Sequence, residues 1–286
     1  MAMGAHDPAG LLAEALWRNR HDSLLVVTGA GVSLASGIST FRGTDPGAVW
    51  KRDLTELGTF QYFQRDPVGS WSWYLSRFDQ VLQAQPNPAH RALAALEHWQ
   101  LGAGGRFLLV TQNIDTLHED AGSIQLVKVH GSADRVRCSR TGCRHGAPRG
   151  SLPRSGLDLS ALRSAPSLER LPRCPACGAL LRQHVLWFDE YYTEHVDYQF
   201  ERVEREAARA DLVLFVGTSF SVGITALILQ LASARAVPLL SIEPGDSLAW
   251  SGAALQVFSA KAEEILPTSC RLLAAKPTAA APAAER

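Results

Sequence analysis

Four apolar runs punctuate the chain: SLLVVTG (23–29), RFLLVTQN (106–113), DLVLFVGTS (211–219) and VPLLSIE (237–243). None alternates strictly between apolar and polar positions, so each is expected to be a strand buried on both faces. Between them the period changes to a helical one. Asp7-Pro8 ahead of LLAEALW has the form of an N-cap with proline at the first helical position. Asn87-Pro88 opens a second helix with Leu93, Leu96 and Trp99 near one face. GVSLASGIS (31–39) is a helix start, and 194–210 and about 222–235 are helical segments flanking the third run. Strands separated by helices predict an α/β fold with a doubly wound parallel sheet. Ligands in such sheets bind beyond the carboxyl ends of the strands. Here those ends read TGAG, TQNID, GTSFS and SIEPG, four polar clusters expected to converge on one crevice.

Two stretches break the pattern. Residues 45–77 are expected to be a helical insertion. Between 135 and 182 Arg, Pro, Gly and Ser rise and periodicity fades, which marks a second insertion. These two form a smaller domain, and 1–44, 78–134 and 183–267 the larger one. The Ala/Pro-rich end, 268–286, is expected to be a disordered tail.

With 286 residues and 46% hydrophobic positions the chain has material for a sizeable core. Lys plus Arg and Asp plus Glu are 28 each, a balance that gives no sign of a nucleic-acid or membrane-surface partner. No apolar run reaches the roughly 18 residues of a membrane span and no secretory leader is evident, so a cytoplasmic protein is expected. Four of the five cysteines fall in two tight pairs, Cys138/Cys143 and Cys174/Cys177. Four thiolates on two short loops can close around one tetrahedral zinc, which would be structural because no coordination position stays open. Cys270 stands apart as a small apolar residue.

The remaining candidates are ambiguous one at a time. Gly29 and Gly31 could cradle a phosphate at a helix N-terminus or make a tight strand-to-helix turn. His130 and His118 are two of nine histidines. Tyr74 and Arg77 share a helix face and would suit a carboxylate, or pack as an aromatic and a solvated cation.

Taken together, these stretches resemble the sirtuin family. GAGVSLASGISTFR (29–42) is similar to its G-A-G-I/V-S-x-x-S-G-I-x-x-F-R, TQNID (111–115) to T-Q-N-x-D and VHGS (129–132) to its H-G. The four cysteines follow, then VLWFDE (185–190), similar to V-V-W-F-G-E, and GTSFSV (217–222), similar to G-T-S-x-x-V. The resemblance implies a Rossmann-type NAD domain beside a smaller zinc-binding and helical domain, and an NAD-dependent lysine deacylase acting on acyl-lysine proteins or peptides. By motif, Gly29, Ala30, Gly31, Ser33, Phe41 and Arg42 would contact NAD near its phosphates and nicotinamide. Gln112, Asn113, Ile114 and Asp115 would line the ribose and nicotinamide site. Gly217, Thr218, Ser219, Ser241 and Ala262 would complete the cofactor set. His130 would be the base, with Asn113 and Asp115 beside it. Val185, Leu186, Trp187 and Phe188 would pair with the peptide as an added strand. Tyr74 and Arg77 resemble the Y-x-x-R of sirtuins that remove succinyl or malonyl groups.

In the implied reaction the acyl oxygen attacks the ribose of NAD, nicotinamide leaves, and a ribose hydroxyl then attacks while His130 takes its proton. Departures from the pattern are Ser241 for the usual Asn, Asp189 for Gly, a long GTDPGAVW loop (43–50), and four residues between the first cysteines. ADP-ribosyl transfer, NAD hydrolysis, or an NAD-sensing module without turnover are the competing functions.

Overall fold

The computed structural model describes residues 7–39, 54–220, 223–245 and 255–276. Phe41, Arg42 and the 43–50 loop lie outside the described residues.

Nine strands are present among the described residues: β1 (Ser23–Thr28), β2 (Arg106–Thr111), β3 (Leu126–Lys128), β4 (Gly131–Cys138), β5 (Leu152–Pro153), β6 (Leu181–Val185), β7 (Leu212–Val216), β8 (Leu239–Ile242) and β9 (Leu255–Phe258). Six form one sheet in the order β3-β2-β1-β7-β8-β9, with every pair parallel. This order is the 3-2-1-4-5-6 of a dinucleotide-type sheet, and it reverses between β1 and β7.

The unbroken apolar runs follow from coverage on both sides. Leu24 and Val26 point into a core closed by the helices Pro8–Arg18, Pro88–Gly102 and Ala262–Ala274. Leu25 and Val27 point into the opposite core, under Phe200–Ala207 and Gly223–Ala234. Both expected caps form: Asp7 Oδ1 accepts from the Ala9 amide at 3.1 Å and Asn87 Oδ1 from Ala89 at 2.8 Å.

A second sheet, β5-β4-β6, is antiparallel. It packs with the helix Pro67–Gln83 around Trp71, Tyr74, Phe78, Val136, Leu181 and Trp187. The boundaries therefore differ from those expected. The small sheet starts at Gly131 and takes in β6, because both strands of that ladder face the aromatic helix. The helix after Asp66 runs on to Gln83, since Phe78 belongs to the same core. The disorder expected from 268 does not hold for the first residues of that segment. Ile265, Leu266, Ser269 and Leu273 are buried, so helix Ala262–Ala274 continues past 267. None of the described helices is long and apolar enough to cross a membrane.

Candidate active site at the sheet crossover

The crossover between β1 and β7 brings three glycines together. A Cβ on Gly29 would lie 2.7 Å from the Gly217 carbonyl oxygen, and one on Gly31 2.8 Å from the Gly217 Cα. Gly217 itself has φ +58, and its own Cβ would meet the Val32 amide at 2.5 Å. These contacts require glycine whatever occupies the crevice. The segment after Gly29 is a 3-10 helix, Ala30–Ser36, ended by Gly37 at φ +83. Asn87 steadies it by donating to the Val32 carbonyl at 2.7 Å.

The polar cluster after β2 closes on β1. Asn113 Nδ2 donates to the Gly29 carbonyl at 3.1 Å and to Ser33 Oγ at 3.0 Å. Ser33 donates to Asp115 Oδ2 at 2.9 Å, and Asp115 Oδ1 accepts from the Leu117 amide at 3.1 Å. Gln112 Nε2 reaches Thr218 Oγ1 at 3.2 Å. All five side chains are buried. The protein thus satisfies these groups on its own, which is why polar residues can end a core strand. Burial pushes the Asp115 carboxyl up, against the Leu117 and Ser33 hydrogen bonds.

His130 sits between β3 and β4. Its Nδ1 bonds the Gln112 carbonyl at 2.7 Å. A carbonyl only accepts, so Nδ1 carries the proton and Nε2 the lone pair. Nε2 lies 3.1 Å from the Tyr192 hydroxyl. Burial pushes the imidazole down to about 4, so the ring is neutral near pH 7.

The neighbouring edge carries the segment expected to hold a peptide. Val185 and Trp187 are buried in the small core, whereas Phe188 is 57% exposed. The Leu186 amide bonds the His130 carbonyl at 2.9 Å and the Phe188 amide the Gly58 carbonyl at 3.0 Å. Asp189, which stands where the family pattern has Gly, accepts from the amides of Phe60 (2.7 Å) and Gln61 (3.1 Å) at the start of helix Phe60–Arg65. Glu190 is gripped by two arginines. Its Oε1 accepts from Arg137 at 2.8 Å and from Arg182, and its Oε2 accepts from the Trp187 amide at 2.9 Å.

Tyr74 is buried, stacked on Trp187 with centroids 6.2 Å apart. Arg77 lies over the Trp73 ring at 4.4 Å and bonds the Trp73 carbonyl. The two share a helix and one neighbour, since the Tyr74 ring also meets the Trp73 ring edge-on at 4.6 Å. Ser241 is buried in β8 between Phe215 and Val257, Ala262 begins the last helix, and Ser219 is exposed beyond β7.

The model of the Sir2 family matches residues 29–223. A Thermus thermophilus protein named NAD-dependent protein deacylase is 41% identical over 220 residues, 77% of this chain and 78% of its own. This chain belongs to the Sir2 family. The mitochondrial protein of Canis lupus familiaris named NAD-dependent protein deacylase sirtuin-5 is 38% identical over 226 residues, 76% of this Sir2 chain and 71% of its own. Among solved structures, a complex of a Sir2 homolog with NAD superposes with a TM-score of 0.72 at 36% identity, covering 91% of this chain and 93% of that one. A Sir2 complex with deacetylated p53 peptide and 3′-O-acetyl-ADP-ribose gives 0.76 at 25% identity, covering 92% and 97%.

The Sir2 cysteines meet as the spacing suggested. Cys138 and Cys177 sulfurs are 3.5 Å apart, Cys143 and Cys174 sulfurs 3.6 Å, and all four lie within 4.8 Å of one another. A tetrahedron with Zn–S bonds of about 2.3 Å has edges of about 3.8 Å. The donor set therefore fits one zinc. Two residues of this Sir2 site carried no sequence signal. Tyr192 lies in a YYTEH stretch without a motif, and Lys128, which bonds the Asp115 carbonyl and pairs with Glu119 at 2.9 Å, reads only as a strand-end cation.

Proposed function

We propose that this chain is an NAD-dependent protein-lysine deacylase, yielding nicotinamide, O-acyl-ADP-ribose and the free lysine. The observation that carries the reading is His130. Its Nδ1 proton is committed to a backbone carbonyl, and its Nε2 lone pair is directed at a hydroxyl. A buried neutral imidazole held in that tautomer is a general base for a ribose hydroxyl. The Tyr192 hydroxyl occupies the place where that hydroxyl would sit. NAD would supply the electrophilic ribose carbon and the acceptor hydroxyl. Asn113, Ser33 and Asp115 would hold it at the crossover, with Gly29, Ala30, Gly31, Gln112, Ile114, Thr218 and Ser219 around it. The Val185–Phe188 segment would pair with the peptide as an added strand. Tyr74 and Arg77 would bias the acyl pocket toward acidic groups if Arg77 turns off the Trp73 ring. Zinc on the four cysteines would brace the small domain. A cytoplasmic location suits four free thiols that need a reducing setting. The even charge balance favours no nucleic acid or membrane as partner.

The test is mass spectrometry of products after incubation with NAD and lysine peptides bearing acetyl, succinyl or longer acyl groups, with a no-peptide control. Acyl-ADP-ribose and nicotinamide that appear only with peptide are expected. Equal nicotinamide release without peptide, and no deacylated product, would refute the reading in favour of NAD hydrolysis or ADP-ribosyl transfer.

A further inference from the structure

Away from the crossover, on the far side of β6, three side chains meet with no role in the chemistry above. His184 and His195 are buried, at 1% and 2% exposure, with ring centroids 4.5 Å apart. Asp197 Oδ2 lies 3.0 Å from His184 Nε2 and 3.6 Å from His195 Nδ1, and the three donor atoms lie within 4.8 Å of one another.

The hydrogen bonding around them is incomplete in an informative way. His195 Nε2 bonds the Gly150 carbonyl at 3.1 Å, so it bears the proton and leaves Nδ1 with a lone pair. Ligating histidines are held in this manner, with the outer N–H on a backbone carbonyl. That lone pair accepts a hydrogen bond from the Asp197 amide at 3.2 Å, which a metal on Nδ1 would replace. For His184, neither ring nitrogen has an aligned hydrogen-bond partner, although Nε2 is close to the carboxylate. A ring this deeply buried with Nδ1 unpaired is unfavourable. Asp197 is fixed from outside by Ser151, whose hydroxyl donates to Oδ2 at 3.1 Å.

The geometry points to a second divalent-metal site formed by His184, His195 and Asp197, separate from the four-cysteine cluster. A tetrahedral zinc with bonds of about 2.0–2.1 Å to nitrogen and oxygen sets its ligands about 3.3–3.4 Å apart. The observed 3.0 and 3.6 Å bracket that value. Three protein ligands leave one position for water. Entry is from an open cleft of about 730 Å³ whose wall includes His184 and Asp197. Arg135, Arg144, Arg149 and Lys128 also line that cleft and oppose a dication. The site therefore needs a metal that bonds imidazole strongly, which zinc does and magnesium and calcium do not. His184 directly precedes the Val185–Phe188 segment, and Asp197 follows Tyr192 by five residues. A metal here would tie the substrate edge to the strap that reaches His130.

The experiment is metal analysis by inductively coupled plasma mass spectrometry on the full, tag-free chain, saturated with zinc and desalted. Two zinc per chain are expected for the wild type and one for Asp197→Asn and His195→Gln. The zinc they retain on the cysteines reports that they are folded. Ser151→Ala, which removes no ligand but deletes the bond to Asp197 Oδ2, is expected to weaken the second equivalent roughly 10-fold or more, as loss of an outer hydrogen bond does. Cobalt in the second site should lack the sulfur-to-metal absorption that the cysteine site gives. One zinc in the wild type, or two in both ligand variants, overturns the proposal.

Discussion

Glu190 is the residue whose replacement has the most calculable consequence. Its side chain is 7% exposed, and the guanidiniums of Arg137 and Arg182 against it are 3% and 2% exposed. Glu190→Gln preserves size and leaves one acceptor, but its amide nitrogen would face two cations. Both guanidiniums would then be buried with no counter-charge. Removing one partner of a buried ion pair costs about 3–5 kcal/mol. Arg182 keeps its bonds to the Gln183 and Val185 carbonyls and its place over the Trp187 ring. These favour the lower part of that range. At about 2–4 °C per kcal/mol for a chain somewhat shorter than this one, the melting temperature should fall by on the order of 10 °C. Urea unfolding followed by tryptophan fluorescence, with zinc held constant, measures the loss directly. Adding Arg137→Met should recover part of it, because one orphaned charge is removed. A loss under about 1 kcal/mol would refute the view that these charges are buried against each other. The pH dependence has a definite sign. Burial pushes the Glu190 carboxyl up, but Arg182 and Arg137 outweigh it and hold it below the ordinary range. The stabilisation is therefore complete above the ordinary carboxylate pKa and is lost as pH falls through the lowered one.

His130→Ala should abolish deacylation while leaving NAD affinity, read by calorimetry, within a few-fold; loss of the fold would show that the ring is structural. With His130 at about 4, the rate with saturating substrates should hold as pH falls from 7 to 5, and an acid limb centred near 6.5 would contradict the neutral-base assignment. His90, also at about 4, and His118, well below its ordinary value, are buried neutral as well. Between pH 6.5 and 4 the unfolded chain takes up protons that the native one refuses, so denaturant midpoints should rise with pH across that window. Gly31→Ala places a methyl 2.8 Å from the Gly217 backbone and should lower stability measurably even without NAD, whereas a change confined to NAD affinity would mean the contact relaxes freely. Stripping zinc with a strong chelator should unfold the small sheet with loss of near-ultraviolet dichroism, restored on adding zinc back.

The large sheet was legible because its strands are covered on both faces, and two-sided burial writes itself as an uninterrupted apolar run. β3 and β9 were not. They are edge strands of three and four residues, β3 buried only at Val127 and β9 with two exposed positions, so neither writes a long apolar run. The ladder between β4 and β6 was hidden because the insertion carrying the four cysteines separates its strands and β4 carries an irregular register. Motif residues around Asn113 and Ser33 were legible as a group, but the reason for their polarity was not. It lies in bonds between segments 80 or more residues apart. Asp189 shows the same limit. As a letter in FDE it adds a charge, and in space that charge ends on two helix amides.

The bond from Tyr192 to His130 alters how the affinity of any hydroxyl ligand should be understood. A substrate hydroxyl that reaches Nε2 does not create a hydrogen bond there but replaces one. The heat released at that point is the small difference between two similar bonds. Contact with the base then adds little to the strength of binding and acts instead on orientation, since only a hydroxyl placed as well as the tyrosine can displace it. Such an exchange separates selectivity for the correct pose from tightness, and it lets product leave as readily as the tyrosine returns.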